Sequence, residues 1–227
     1  MPYIEKTDTV LIFPGSGLGR LSYEFAKFEF GKVISIEYSG LMNAFSRFNY
    51  SKSKKSYTLH PYIHTCSDFY NTQSLLRTFE YKPISEKPQN LEIIEKDFTL
   101  FELQDKEKYK NVVVVSVFFL DTAENLMDYL DTIERITTPV NKNQKGYWIN
   151  VGPLKYGSAA QVELNADELK DIRSKMGWND IDSDYTIYNP KTLGTNNGLV
   201  GYVTDKESMW QGYYGLNMFT SKRKENK

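Results

Sequence analysis

The sequence predicts an α/β fold, a mostly parallel sheet with helices on both faces. Three observations carry this expectation. Short β-rich runs alternate with longer helical patterns through roughly the first two thirds of the chain, the order that crossover helices on a parallel sheet require. The run NVVVVSVFFL is apolar without a break, as a central strand covered on both faces should be. The first run, TVLIF, leads straight into a glycine loop and then into a helical pattern.

Taken in order, Thr9 to Phe13 form the first strand, closed by Pro14 and Gly15. LSYEFAKFEF places Leu21, Phe25 and Phe28 at helical spacing, and Gly31 ends that helix. KVISIE is the second strand and finishes in an acid, Glu37. A second helix over Gly40 to Tyr50 puts Leu41, Ala44, Phe45 and Phe48 on one face. The stretch at about 51–90 is polar, holds three prolines and has no clear period, so it reads as a long insertion; its aromatic content argues against free disorder. LEIIEKDF is the third strand, ending at Asp97 and Phe98, with a further helical turn expected between Thr99 and Lys110. After NVVVVSVFFL, Asp121 and Thr122 close the fourth strand. Thr122 is the expected cap of AENLMDYLDTIERI, whose Leu126, Tyr129, Leu130, Ile133 and Ile136 keep helical spacing. GYWINVGP is strand five. VELNADELKDIRSKMGW reads as a helix with Asn165 as cap and Glu168 completing a capping box. DYTIYNP and YGLNMFTSK are the last two strands, and the lysine-rich tail should fray. With no internal repeat, the chain reads as a single domain over residues 1–227 with a lid-like insertion at about 51–90.

Composition narrows the function. A chain of 227 residues, 40% of them hydrophobic, can bury one full core. Its net charge of −1 lacks the basic excess that nucleic-acid binding needs, and it has no long apolar span for a membrane. One cysteine, Cys66, and two histidines argue against an internal disulfide and against a structural metal site. The start shows no targeting segment, so a reducing compartment, cytoplasmic or nuclear, is expected.

The best functional signal is the loop PGSGLGR, with Gly15, Gly17 and Gly19 at alternate positions between a strand and a helix. Such a turn lets backbone approach a cofactor, and the helix start offers free N–H donors. It departs from the dinucleotide fingerprint, because Arg20 stands where the last glycine belongs. Glu37, about twenty residues on at the end of the second strand, is placed to accept from two ribose hydroxyls. NAD and S-adenosylmethionine both suit such an acid. Asp97 and Phe98 offer an acceptor for the adenine amino group and a ring to cover the base, which favours S-adenosylmethionine. Taken alone the pair would read as a loop cap and a core residue, but it lies at the carboxyl edge where ligands of open α/β sheets gather. His60 reads as a solvent-facing histidine and Cys66 as a small buried hydrophobe.

The segments VLIFPGSGLGRLSYEFA, IEYSGLMNAFSRF, HPYIHTCSDF, KDF, VFFLDTAENLMDYLDTIERI and GYWINVGPLKYG, in this order, resemble successive blocks of the carnosine N-methyltransferase family. That resemblance implies a Rossmann-like class I methyltransferase fold with a seven-stranded, mostly parallel sheet and an antiparallel last strand. It implies S-adenosyl-L-methionine as cofactor and methyl transfer to an imidazole nitrogen of carnosine, giving anserine, or of a related His-containing dipeptide or peptide. By the matching blocks Gly15, Glu37, Asp97 and Phe98 take the cofactor, and Val117 lies beneath its methionine portion. Asp121 matches the carboxylate that orients the substrate and Tyr214 a catalytic, substrate-contacting tyrosine, with Tyr156 and Tyr213 as further substrate contacts. His64 matches a histidine that orders the insertion, which would form a lid between Tyr57 and Tyr81. Two departures stand out. Gly157 follows Tyr156 where the family has a histidine. Only eight residues precede Thr9, so the family's helical region with its Q-x-x-R-D-W type segment is expected to be absent here. The implied partner is a small dipeptide or peptide; a homodimer is compatible with the sequence. Methylation of a protein histidine or another acceptor, and a non-catalytic binding role, are the alternatives.

Overall fold

The computed structural model describes residues 4–51, 53, 55–84, 86–182 and 199–224, so the strand expected at DYTIYNP lies outside the described residues. In chain order the elements are β1 (Thr9–Pro14), α1 (Arg20–Ala26), β2 (Lys32–Glu37), α2 (Gly40–Asn49), β3 (Tyr57–Leu59), α3 (Thr72–Leu75), β4 (Phe79–Tyr81) and β5 (Leu91–Glu95). They continue with β6 (Asn111–Val117), α4 (Leu126–Thr137), β7 (Lys145–Gly152), α5 (Ala166–Lys175), β8 (Trp178–Asp182), β9 (Val200–Val203), β10 (Gly212–Tyr214) and β11 (Asn217–Arg223). Seven strands build one sheet in the order β5-β2-β1-β6-β7-β11-β8. The first five are parallel and β11 runs antiparallel to both neighbours, the arrangement expected. Strand order reverses between β1 and β6, which opens a crevice at their carboxyl ends.

The described residues form two compact units, one made of residues up to 46, 88–182 and from 216 on, the other of 47–87 and 199–215. In the first unit the period-two alternation of the strands sorts side chains onto two faces. Val10 and Ile12 of β1, Val112 and Val114 of β6 and Trp148 of β7 share a buried core with Leu126, Leu130, Ile133 and Ile136 of α4 and with Leu169 of α5. Their out-of-phase neighbours face α1: Phe13 meets Phe25 with ring centroids 5.4 Å apart. Buried polar bonds tie the strands laterally. Trp148 Nε1 donates to Ser116 Oγ (2.8 Å), Ser116 Oγ to Asn150 Oδ1 (2.7 Å), and Asn150 Nδ2 to the Asn217 carbonyl (2.9 Å). Arg173, 2% exposed, donates to Asp180 Oδ1 at 2.5 Å while its guanidinium sits 3.5 Å from the Phe219 ring centroid. Burial pushes the Asp180 carboxyl up, but hydrogen bonds from Arg173 and Ser221 and the Arg173 charge outweigh it and hold the group below its ordinary value.

Several local expectations need correction. The cap of α4 is Asn125, whose side chain accepts from Met127 N, while Thr122 closes a 3-10 turn with its hydroxyl on the Phe119 carbonyl. The first helix stops at Ala26, which leaves Phe28 beyond it and exposed. The apolar face foreseen on α2 points outward, with Leu41 68% and Phe45 53% exposed. Asn43 and Ser46 are buried instead, because Asn43 Nδ2 donates to the carbonyls of Glu37 and Ser39 and fixes that polar face inward. The capping box of Asn165 and Glu168 is present, but α5 ends at Lys175 and Trp178 starts an edge strand, buried against Trp148. The connection from Thr99 to Lys110 does hold helical turns, at Phe98–Leu100 and Lys106–Lys108.

In the second unit the insertion carries the hairpin of β3 and β4 and the short α3, and β9 pairs with β10. Arg77 pairs with Asp205 and lies over the Tyr62 ring, 4.7 Å from its centroid. His60 and His64 are exposed. Cys66 is exposed as well, not buried, since it sits in the irregular run between β3 and α3 where no strand or helix wraps it.

Candidate active site

β1 and β2 end side by side at the carboxyl edge of the sheet, and the loop after β1 is shaped by its glycines. Gly15 and Gly17 both have φ of +56°, a backbone region that strains any side chain. A Cβ on Gly17 would meet nothing within 4 Å, whereas one on Gly15 would lie 2.9 Å from Phe119 Cε2 and nearer still to Cδ2. Glu37 organises the loop: Oε2 accepts from Gly17 N and Oε1 from Ser39 N, each at 2.8 Å. A carboxylate has about four acceptor positions, so both oxygens keep capacity for a ligand. Gly19 is buried at the start of α1.

A cavity of about 600 Å³ opens at this edge within the first unit. Gly15, Ile36, Glu37 and Tyr38 contribute from β1 and β2, and Lys96, Asp97, Phe98 and Thr99 from the chain after β5. Phe118, Phe119 and Thr122 follow β6, and Glu124, Asn125, Asp128 and Tyr129 belong to the start of α4. Asp97 is a turn cap and Phe98 a buried ring, and both also line the cavity. Asp97 Oδ1 caps the turn, accepting from Thr99 N and Oγ1 at 2.8 Å, and the residue still lines the cavity. Phe98 is buried, edge-on to Phe119 and Tyr129, and still reaches the wall. The Phe119 and Tyr129 rings stack in parallel, 4.4 Å between centroids.

The cavity is negative. Glu37, Asp97, Glu124 and Asp128 line it against a single ammonium, Lys96. The field is felt at Tyr129, whose phenol is pushed up first by burial and further by Asp97, Glu37 and Glu124. Acceptors for hydroxyl and amino groups, an aromatic wall and a volume in the range of small-molecule sites together suit an adenosine-containing ligand. A second cavity of about 260 Å³ shares Gly15 but lies toward α1. Val117 lines this one together with Val115, Leu21 and Arg20.

On the neighbouring loops, Asp121 follows β6 and Tyr156 follows β7. Asp121 Oδ2 accepts from Lys155 N at 3.2 Å; burial pushes its carboxyl up and that hydrogen bond only partly offsets the rise. The Tyr156 phenol donates to the Leu164 carbonyl at 3.0 Å and is pushed up by burial, with the charge of Asp121 adding to the effect, so these two predicted residues are close neighbours. A side chain at Gly157 would meet nothing within 4 Å. Tyr213 and Tyr214 lie on β10 in the second unit, Tyr213 bonded to Gln211 and Tyr214 packed edge-on to Tyr202. Gly15, Glu37, Asp97 and Phe98 are thus gathered around one cavity. The residues that sequence reasoning overlooked there are Phe119, Asn125, Asp128 and Tyr129. A signal existed, since the helix after a central parallel strand starts over the carboxyl edge and positions i, i+3 and i+4 share a face. Among the described residues no cluster of metal-ligating side chains occurs and no helix is long and apolar enough to cross a membrane.

A family model described as carnosine N-methyltransferase matches residues 2–225. An uncharacterized protein of Saccharomyces cerevisiae is 34% identical over 219 residues, covering 95% of this chain and 45% of that protein. The carnosine N-methyltransferase of Schizosaccharomyces pombe is 26% identical, covering 99% of this chain and 61% of that one, and the Dictyostelium discoideum enzyme is 32% identical, covering 75% and 37%. The chain spans about half the length of the curated relatives it matches. Among solved structures, a putative S-adenosylmethionine-dependent methyltransferase from Listeria monocytogenes superposes with a TM-score of 0.55 at 10% identity, covering 98% of this chain and 93% of that one. One from Methanosarcina mazei gives 0.55 at 9% identity, covering 99% and 96%. At such identities the likeness establishes the fold, which is that of the S-adenosylmethionine-dependent methyltransferases.

Proposed function

The chain belongs to the carnosine N-methyltransferase family, and from that footing we propose that it is an S-adenosylmethionine-dependent N-methyltransferase. The acceptor in this reading is an imidazole nitrogen of carnosine, with anserine as product, or of a related His-containing dipeptide or peptide. The observation that carries the reading is the acidic, aromatic-walled cavity at the carboxyl edge, with Asp121 on the adjoining loop. Its four carboxylates against one ammonium favour a ligand that carries a cationic sulfonium and disfavour the diphosphate of a dinucleotide.

S-adenosylmethionine, when bound, supplies an activated methyl group, and the protein's task is to position the acceptor in line with it. Glu37 holds the ribose hydroxyls through its remaining acceptor positions, and Asp97 receives the adenine amino group through the oxygen that Thr99 leaves unused. Phe98, Phe119 and Tyr129 wall the base, the glycines at 15, 17 and 19 keep the loop clear, and Val117 underlies the methionine portion. Asp121 accepts the distal imidazole N–H of the acceptor, which fixes the tautomer with a bare attacking nitrogen and stabilises the positive charge that develops on the ring. To Tyr156 we assign acceptor positioning; the same role for Tyr213 and Tyr214, and that of a lid for the insertion at about 51–90, rest on the resemblance of their sequence blocks alone.

A second reading, a histidine within a larger peptide or protein as acceptor, is favoured by the open space at Gly157. Isothermal titration with S-adenosylmethionine, followed by mass spectrometry of carnosine and of His-containing peptides incubated with protein and cofactor, tests both. Absence of cofactor binding removes the methyltransferase reading; binding with methylation of peptides but not of carnosine selects the second acceptor.

A further inference from the structure

We propose that Arg20 grips the α-carboxylate at the amino-acid end of the cofactor, in the cavity beside the glycine loop; this rests on the S-adenosylmethionine reading above. The sheet order β5-β2-β1-β6 sets the direction of the ligand. An adenosine held at Glu37 and Asp97 lies over the ends of β2 and β5, so the chain leaving its ribose on the side away from the base must cross β1 at Gly15 toward β6. Neighbouring strands are about 4.8 Å apart, so from a ribose held at the end of β2 the chain has only about that distance to cover before it reaches Gly15 at the end of β1. What lies there is the cavity of about 260 Å³ that shares Gly15 with the larger one.

That recess is walled by Phe13, Leu21, Val115 and Val117, and its one cationic lining residue is Arg20. A carboxylate entering apolar surroundings needs a cation or several donors to offset the loss of water. The Arg20 side chain is 78% exposed and pairs with Glu24 one turn along α1, at 2.6 Å. Glu24 also pairs with Lys27, so it keeps a partner when the guanidinium turns to a ligand. A planar fork binds a carboxylate with two parallel bonds, which an ammonium cannot do. The residue that breaks the dinucleotide glycine pattern thereby acquires a purpose: it reads an amino acid where a dinucleotide has phosphates.

The test compares two ligands on the full chain by isothermal titration: S-adenosylhomocysteine, and 5′-methylthioadenosine, which has the same nucleoside thioether without the amino-acid end. Arg20→Met should raise the Kd for S-adenosylhomocysteine about 10–100-fold and leave that for 5′-methylthioadenosine within about twofold, with Arg20→Lys in between. Retained 5′-methylthioadenosine binding also reports an intact fold. The proposal is overturned if Arg20→Met binds S-adenosylhomocysteine like the unaltered chain, or if both ligands weaken alike, which would mean loop damage. If the unaltered chain binds neither ligand, the cofactor reading falls and takes this proposal with it.

Discussion

Replacing Gly15 with alanine tests the geometry on which the cofactor loop depends, because Gly17 provides a built-in control. Both residues have φ of +56°, so an alanine at either costs about 1–2 kcal/mol for the left-handed backbone. At Gly17 the cost ends there, since a Cβ meets nothing within 4 Å. At Gly15 the Cβ runs into the Phe119 ring, which is fixed by its stack on Tyr129 and by the edge of Phe98, and such overpacking adds about 1–3 kcal/mol. Gly15→Ala should therefore melt below Gly17→Ala by roughly 2–12 °C, at about 2–4 °C per kcal/mol for a chain of this size. Phe119→Leu removes the obstructing ring edge. It costs stability by itself, yet in the Gly15→Ala background it should recover at least about 1 kcal/mol relative to additivity. Thermal and urea unfolding followed by the fluorescence of the buried Trp148 and Trp178 measure the parent and the four variants. Equal losses at the two glycines, or an additive cycle, would refute the close approach of Phe119 to the loop.

Three further outcomes are expected. Glu37→Ala removes the acceptor of two loop N–H groups and of the ribose, so the Kd for S-adenosylhomocysteine should rise about 10–100-fold by titration calorimetry; an unchanged Kd ends its assignment. Asp121→Asn should cut turnover at least about 100-fold while sparing cofactor affinity. Because burial raises the Asp121 carboxyl, its ionisation opposes folding as pH rises through its folded value, so the asparagine variant should melt higher than the parent at neutral pH and lose that advantage in acid; a lower melting point at neutral pH would contradict this. Arg173→Met leaves the half-buried Asp180 without its guanidinium and should cost about 3 kcal/mol, the low end for a buried pair, in urea unfolding. The depressed Asp180 carboxyl stabilises the fold above its unfolded value of about 3.9 and stops doing so as pH falls through its lower folded value, so the parent's advantage over Asp180→Asn should shrink below about pH 4.

The central sheet was legible because its strands are buried on both faces and are apolar at most positions, as NVVVVSV shows. The edge strand Trp178–Asp182 was not, since WNDID buries its tryptophan but carries two acids and an asparagine, a pattern without the apolar signal. The outward turn of α2 was hidden for a different reason. Its amphipathic pattern is real, but the carbonyls of Glu37 and Ser39 need donors, and Asn43 supplies them only by burying the polar face. In the site, Glu37 could be read because two signals coincide, a strand end and an acid at the right distance from the glycines. Phe119 and Tyr129 were missed, because each reads as ordinary core unless the place of the helix start over the carboxyl edge is weighed as well.

The two carboxylates central to the proposed reaction stand in opposite environments, and this difference assigns their roles better than their position does. Glu37 is held by two short backbone hydrogen bonds that also fix the loop, so in the proposed reaction it would be an anchor whose energy changes little. Asp121 accepts a longer bond from Lys155 N at 3.2 Å and one from its own backbone N–H, and burial outweighs both and raises its carboxyl. An anion left short of partners gains most when a positive charge forms beside it. A neutral imidazole bound there offers one N–H before methyl transfer and a full positive charge after it. In the proposed reaction the stabilisation from Asp121 would therefore be greater on the way to product than in the bound acceptor, which is the differential that accelerates a reaction instead of merely tightening binding.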